Sequence, residues 1–128
     1  MPRILLVEDN EFNRDMLSRR LERRGFEVLL AEDGARGIEV AAEQRPELIL
    51  MDMDLPVIDG WEATKRLKAN PSTRPIPIIA LTAHALQSDF DRAFQSGCDD
   101  FATKPIDFTV LLDKIQRALA ASTPGSGS

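Results

Sequence analysis

Five short apolar runs, Arg3–Val7, Phe26–Leu30, Glu47–Asp52, Ile76–Leu81 and Asp100–Thr103, punctuate a chain whose longer intervening segments repeat apolar positions at helical spacing. Brief runs rich in Ile, Leu and Val are the pattern of strands buried on both faces, as in parallel sheets with crossover helices. The second and fifth runs are weaker and read as edge strands. The first helix carries Phe12, Met16, Leu17 and Leu21 on one face and ends at Gly25. The second carries Ala35, Ile38, Ala41 and Ala42 and stops before Pro46; the third carries Trp61, Thr64 and Leu67 and ends at Asn70-Pro71. Leu86, Phe90, Ala93 and Phe94 mark a fourth helix closed by Gly97. Phe108, Leu111, Leu112, Ile115 and Leu119 mark a fifth, with Asp107 as its N-cap. Strict alternation of strand and helix predicts an α/β fold, an open parallel sheet with helices on both faces.

In such sheets ligands sit beyond the carboxyl ends of the strands, which makes a short list of the polar residues there. Glu8 and Asp9 follow the first strand, Asp52 ends the third, Thr82 follows the fourth and Lys104 the fifth. If the first and third strands are neighbours, three carboxylates lie close together, where each disfavours ionisation of the others. A hard divalent cation such as Mg²⁺, which prefers oxygen ligands, offsets them, and Lys104 adds a fixed positive charge. A carboxylate, a cation site, an ammonium and a hydroxyl suit phosphoryl transfer, in which the protein mainly positions groups and neutralises charge. Asp52, at the end of the central strand, is the nucleophile this arrangement implies.

Composition narrows the picture further. The 128 residues, 43% hydrophobic, leave room for one core, expected over residues 1–121, with the Ser/Gly/Pro-rich stretch 122–128 as a flexible tail. A net charge of −5 gives no electrostatic footprint for direct nucleic-acid binding. The single cysteine, Cys98, makes no internal disulfide and reads as a small buried residue, and no apolar run approaches the ~20 residues of a membrane span. A cytoplasmic protein is the expectation. Trp61 is expected to pack the third helix against the sheet or to lie at a contact surface, and the Arg19-Arg20 and Arg23-Arg24 pairs to form the solvated side of the first helix.

The segments Leu5-Leu6-Val7-Glu8-Asp9-Asn10, Leu50-Met51-Asp52-Met53-Asp54-Leu55-Pro56 with Asp59-Gly60, Ala80-Leu81-Thr82-Ala83 and Thr103-Lys104-Pro105 together resemble the signature segments of bacterial response-regulator receiver domains. They occur in the family's order and spacing, and the resemblance spans residues 3–120. It implies a flavodoxin-like doubly wound sheet of five parallel strands, order 2-1-3-4-5, with five helices.

Residue by residue, the resemblance implies that Glu8 and Asp9 order Mg²⁺, Glu8 through a water. Asp52 is then both phosphoacceptor and metal ligand, and Asp54 supplies a backbone carbonyl. Thr82 and Lys104 contact the phosphoryl group, with a cis bond between Lys104 and Pro105. Thr82 and Phe101 form the switch, Phe101 standing where many members have tyrosine, and Asp54 and His84 tune dephosphorylation. The implied donor is a phosphohistidine on a sensor histidine kinase or a histidine phosphotransfer protein. Phe12, Asn13 and Arg14 are weaker candidates for contact with that donor. Output is expected through a protein target on the face of helix 4, strand 5 and helix 5. The chain is expected to be a signalling phosphoacceptor that assists its own phosphorylation and dephosphorylation rather than an enzyme.

Taken singly, these residues have ordinary readings: Glu8-Asp9 as a helix start, Asp59-Gly60 as a turn, Thr82 as a cap, Lys104 and His84 as surface groups. Their shared placement at strand ends is what favours a site. Two rival chemistries fit poorly. A haloacid-dehalogenase-type phosphatase, suggested by Asp52-Met53-Asp54, wants Thr or Val where Pro56 stands, and an FMN carrier wants a hydroxyl- and glycine-rich loop where Glu8-Asp9 would repel phosphate. A pseudo-receiver that works without phosphorylation and a receiver cut from a hybrid histidine kinase are the remaining alternatives.

Overall fold

The computed structural model describes residues 2–55, 57–83 and 87–122. Its strands are β1 (Arg3–Val7), β2 (Glu27–Ala31), β3 (Leu48–Asp52), β4 (Ile78–Thr82) and β5 (Asp100–Thr103). Its helices are α1 (Glu11–Arg23), α2 (Gly34–Gln44), α3 (Gly60–Ala69), α4 (Gln87–Ser96) and α5 (Phe108–Ser122). All pairings are parallel, in the order β2-β1-β3-β4-β5.

Side chains alternate across the central strands, so each strand feeds two cores. Leu5, Val7, Ile49, Met51, Ile78 and Ala80 point to the side covered by α2 and α3, where they meet Val40, Ala41, Trp61 and Leu67. Ile4, Leu6, Leu48, Leu50, Ile79 and Leu81 point to the opposite side, where Leu17 and Leu21 of α1 and Leu111 and Ile115 of α5 close the second core. The continuous apolar runs follow directly, since every residue of β3 and β4 is buried.

Helix ends are set by local chemistry. Asn10, Asp33 and Asp59 cap α1, α2 and α3 through side-chain oxygens that accept the N–H groups of Asn13, Arg36 and Glu62. The Asp107 carboxylate accepts from Thr109 and Val110 at the start of α5, as the sequence predicts. Gly25 and Gly97 follow α1 and α4 at φ 89° and 105°.

Several expectations need correction: β2 runs over Glu27–Ala31 rather than Phe26–Leu30, β3 begins at Leu48 rather than Glu47, and Phe94 of α4 is exposed. Phe12 and Met16, assigned by spacing to the core face of α1, are instead 73% and 40% exposed, and α1 is buried through Leu17, Ser18 and Leu21. They lie on nearly the opposite side of the helix from that stripe, so the i, i+4 pair was real but belonged to another face. Ala42 is likewise exposed. β4 begins at Ile78 rather than Ile76, since Pro77 has no N–H to give the ladder, although its carbonyl accepts from Ile49 at 2.9 Å.

Leu86 and the side chains of Phe90 and Ala93, expected on the core face of α4, lie outside the described residues. So does the expected tail, except Ser122, which ends α5. Among the described residues no helix is long and apolar enough to cross a membrane. Trp61 is buried between α3 and the sheet, with the Arg92 guanidinium of α4 4.5 Å above its ring centre.

Candidate functional site

The chain leaves β1 toward β2 on one side and leaves β3 toward β4 on the other, so a crevice opens between the carboxyl ends of β1 and β3. Val7 pairs with Met51 across that boundary, which sets the next residues, Glu8 and Asp52, side by side. One carboxylate oxygen each from Glu8, Asp9 and Asp52 lies within 4.8 Å of the others. Glu8 and Asp52 are buried, 4% and 1% exposed, whereas Asp9 faces solvent.

Asp52 is held at both oxygens: Oδ2 accepts from the Lys104 ammonium at 2.8 Å and Oδ1 from the Asp54 N–H at 2.9 Å. Lys104 reaches it because β5 lies two strands away across β4, whose Thr82 carbonyl accepts the Lys104 N–H at 2.7 Å. The Lys104–Pro105 bond is cis. Thr82 is buried at the end of β4, register-paired with Thr103.

The electrostatics follow from crowding. Burial, a hydrogen bond to Asp52 and the Asp52 charge push the Glu8 carboxyl from 4.5 up to about 7, against the opposing pull of the Asn10 N–H and Lys104. Burial alone would lower the Lys104 pKa, but the bond to Asp52 and the charges of Asp52, Glu8 and Asp54 outweigh it and hold the ammonium above its ordinary value. An all-oxygen set of three carboxylates, two of them buried, facing the single Lys104 ammonium has the chemistry a hard divalent cation takes.

A pH dependence follows. Because the folded-state pKa of Glu8 lies above its unfolded value, the native state binds the extra proton, so stability is present at low pH and lost as pH rises from about 4.5 to about 7. Without divalent cations, wild type is expected to be about 2 kcal/mol less stable to urea at about pH 8 than at about pH 5.5. Glu8→Gln should flatten that difference; an unchanged difference would mean Glu8 ionises normally.

The structure brings Glu8, Asp9, Asp52, Lys104 and the Asp54 main chain together. Asp54 has an exposed side chain, and Phe101 sits half-buried on β5 with Phe94 edge-on to its ring at 5.7 Å and Lys114 at 5.1 Å. His84 and Pro56 lie outside the described residues. Cys98 is buried, which pushes its thiol up to about 11, so it is a core residue. Glu8-Asp9 does not itself start α1; Asn10 caps it, while its N–H donates to Glu8 Oε2 at 3.1 Å. Asn10 itself, a favoured N-cap residue, was the sequence signal for this. Lys104 and Glu8 also border a groove of about 540 Å³ lined further by Asn13, Met16, Arg20 and Ile106.

Comparison with known proteins places this geometry. Response regulator receiver domain is the family whose pattern matches, over residues 4–116. A polar-differentiation response regulator, DivK, of Brucella anthropi is 39% identical over 120 residues, covering 93% of this chain and 98% of that protein. The receiver domain of a Pseudomonas aeruginosa sensor histidine kinase, solved with magnesium coordinated in its active-site cleft, is 41% identical with a TM-score of 0.87, covering 93% of this chain and 98% of that one. A receiver domain of a Syntrophus aciditrophicus signal transduction histidine kinase is 32% identical with a TM-score of 0.90, covering 97% and 94%. Two-component signalling is the common setting of all three. With the fold, the strand order and nearly the whole length in agreement, the chain belongs to the response regulator receiver domain family.

Proposed function

We propose that this chain accepts a phosphoryl group on Asp52 from a phosphohistidine of a sensor histidine kinase or histidine phosphotransfer protein, in a Mg²⁺-dependent reaction. The observation that carries the reading is the convergence of Glu8, Asp9 and Asp52 within 4.8 Å, with Lys104 bonded to Asp52 from the other side. Glu8, Asp9, Asp52 and the Asp54 carbonyl would hold the metal. Bound there, Mg²⁺ neutralises charge on the carboxylates and on the phosphoryl oxygens.

An Asp52 carboxylate oxygen attacks phosphorus; the O–P bond forms as the P–N bond breaks, and the electron pair leaves with the imidazole ring. Lys104 pairs with a phosphoryl oxygen and the Thr82 hydroxyl donates to another. The groove beside Lys104 gives the donor's histidine an approach between α1 and the segment after β5. Movement of the Thr82 hydroxyl toward the phosphoryl group frees space for the Phe101 ring, which biases the α4–β5–α5 face between two arrangements for a protein target.

The test is incubation with a small acyl-phosphate donor, with and without Mg²⁺, followed by intact mass measurement. Wild type is expected to gain one phosphoryl group only with the metal. No gain sinks the reading and favours an interaction module that works without phosphorylation.

Asp54 and His84, two residues after Asp52 and Thr82, are proposed to set the lifetime of the product by flanking the approach of water. Decay of the phosphoprotein should therefore change in Asp54→Ala and in His84→Ala, about tenfold in at least one of them; wild-type decay in both contradicts the tuning role.

A further inference from the structure

Arg14, half-buried in the first turns of α1, does not extend into solvent. Its Nη1 donates to the Glu8 carbonyl at 2.9 Å and lies 3.4 Å from the Asp9 carbonyl. Those are consecutive main-chain groups of the turn that bears the acidic pair. They stand before the backbone ladder of α1, which opens with the Arg14 N–H donating to the Asn10 carbonyl at 2.9 Å, so no early helix amide is assigned to them. The turn is also held by the Glu8 N–H on the Ala31 carbonyl at 3.1 Å and the Asn10 N–H on Glu8 Oε2 at 3.1 Å. Arg14 is thus a strut: its main chain belongs to the helix and its guanidinium to the turn.

We propose that Arg14 is a positioning residue for the divalent cation, its guanidinium holding the Glu8-Asp9 main chain in the shape that brings both carboxylates onto Asp52. The inference rests on the reading of Glu8, Asp9 and Asp52 as the metal-binding set. Groups behind metal ligands fix ligand orientation, and their loss typically weakens binding about 10- to 100-fold. The arginine also carries a positive charge, which by itself opposes a cation. The two roles predict opposite signs, so they can be separated.

The experiment is calorimetric titration of Mg²⁺ into wild type, Arg14→Lys and Arg14→Met, at low salt and again at about 0.5 M salt, where long-range charge effects are strongly screened. Arg19→Met, on the exposed side of the same helix and ion-paired to Asp15, is the control. Lysine keeps the charge but its ammonium falls one bond short of the carbonyls. Arg14→Lys is expected to bind Mg²⁺ about tenfold more weakly at both salt levels, Arg14→Met likewise at high salt, and Arg19→Met as wild type.

Phosphoryl uptake by Arg14→Lys should return to the wild-type rate once Mg²⁺ saturates, a split that general loss of structure would not produce. The proposal is overturned if Arg14→Lys binds as wild type while Arg14→Met binds more tightly, because charge alone is then at work. It is also overturned if uptake stays low at saturating metal. Should wild type itself bind no Mg²⁺, the metal-site reading falls and this inference with it; wild-type binding matched by both variants removes only the role of Arg14.

Discussion

Asp52→Asn is expected to take up no phosphoryl group from an acyl-phosphate donor at any Mg²⁺ concentration, and to unfold in urea no earlier than wild type when no divalent cation is present. The first half follows from chemistry: an amide oxygen is too poor a nucleophile to form the O–P bond, and the neighbouring carboxylates are assigned to the metal. The second follows from electrostatics. Asp52 is almost completely buried beside two further acids, so the amide removes one of three crowded charges from a site poorly exposed to water. The amide keeps an oxygen for the Asp54 N–H. It gives up the Lys104 ion pair, but the Lys104 side chain is 26% exposed and keeps access to water. Intact mass and urea midpoints check both halves. Phosphoryl uptake by the asparagine variant equal to that of wild type would remove Asp52 from its proposed role.

Gly60→Ala is the second large effect, and it acts through the backbone. Gly60 opens α3 against the end of β3, and a Cβ there would stand 2.3 Å from the Asp52 carbonyl oxygen and 2.6 Å from the Met53 Cα. Neither atom belongs to a flexible side chain, so α3 or the β3 terminus must move. The expected cost is about 3 kcal/mol of stability in urea. The displaced atoms are the main chain of Asp52 and its neighbour, so with Asp52 in its proposed role the uptake rate should fall roughly 100-fold even in molecules that remain folded, as misplacements near 1 Å do elsewhere. Asp59→Ala is the comparison, since it removes the α3 cap at a cost of about 1 kcal/mol without striking β3. If Gly60→Ala is as stable and as reactive as Asp59→Ala, close packing of α3 on β3 does not matter to the site.

How much of this was legible depends on which groups carry the information. β3 and β4 are buried at every position, so their apolar runs announced them, and the strand order followed from alternation plus the family resemblance. The carboxyl ends of β1, β3 and β5 then named Glu8, Asp9, Asp52 and Lys104 before any distance was known. α1 was misread in part, because Phe12 and Met16 fit an apolar stripe of their own and periodicity does not say which stripe meets the sheet. Arg14 showed only as a possible surface contact. Its partners are main-chain carbonyls, present at every residue, so no pattern of side chains marks them. The raised pKa of Glu8 was foreshadowed by the like charges, but its size came from burial, which depends on how deeply the turn is set.

One contact described above gives the molecule an optical channel of its own. The chain has a single tryptophan and no tyrosine, so its near-ultraviolet emission comes from one indole. That indole, Trp61, rests on α3 under the Arg92 guanidinium of α4 and shares its core with Ile49 and Met51 of β3. Any displacement of α4 that lifts the cation off the ring changes the polarity the fluorophore senses, so the emission of the unlabelled protein can follow the α3–α4 contact in real time.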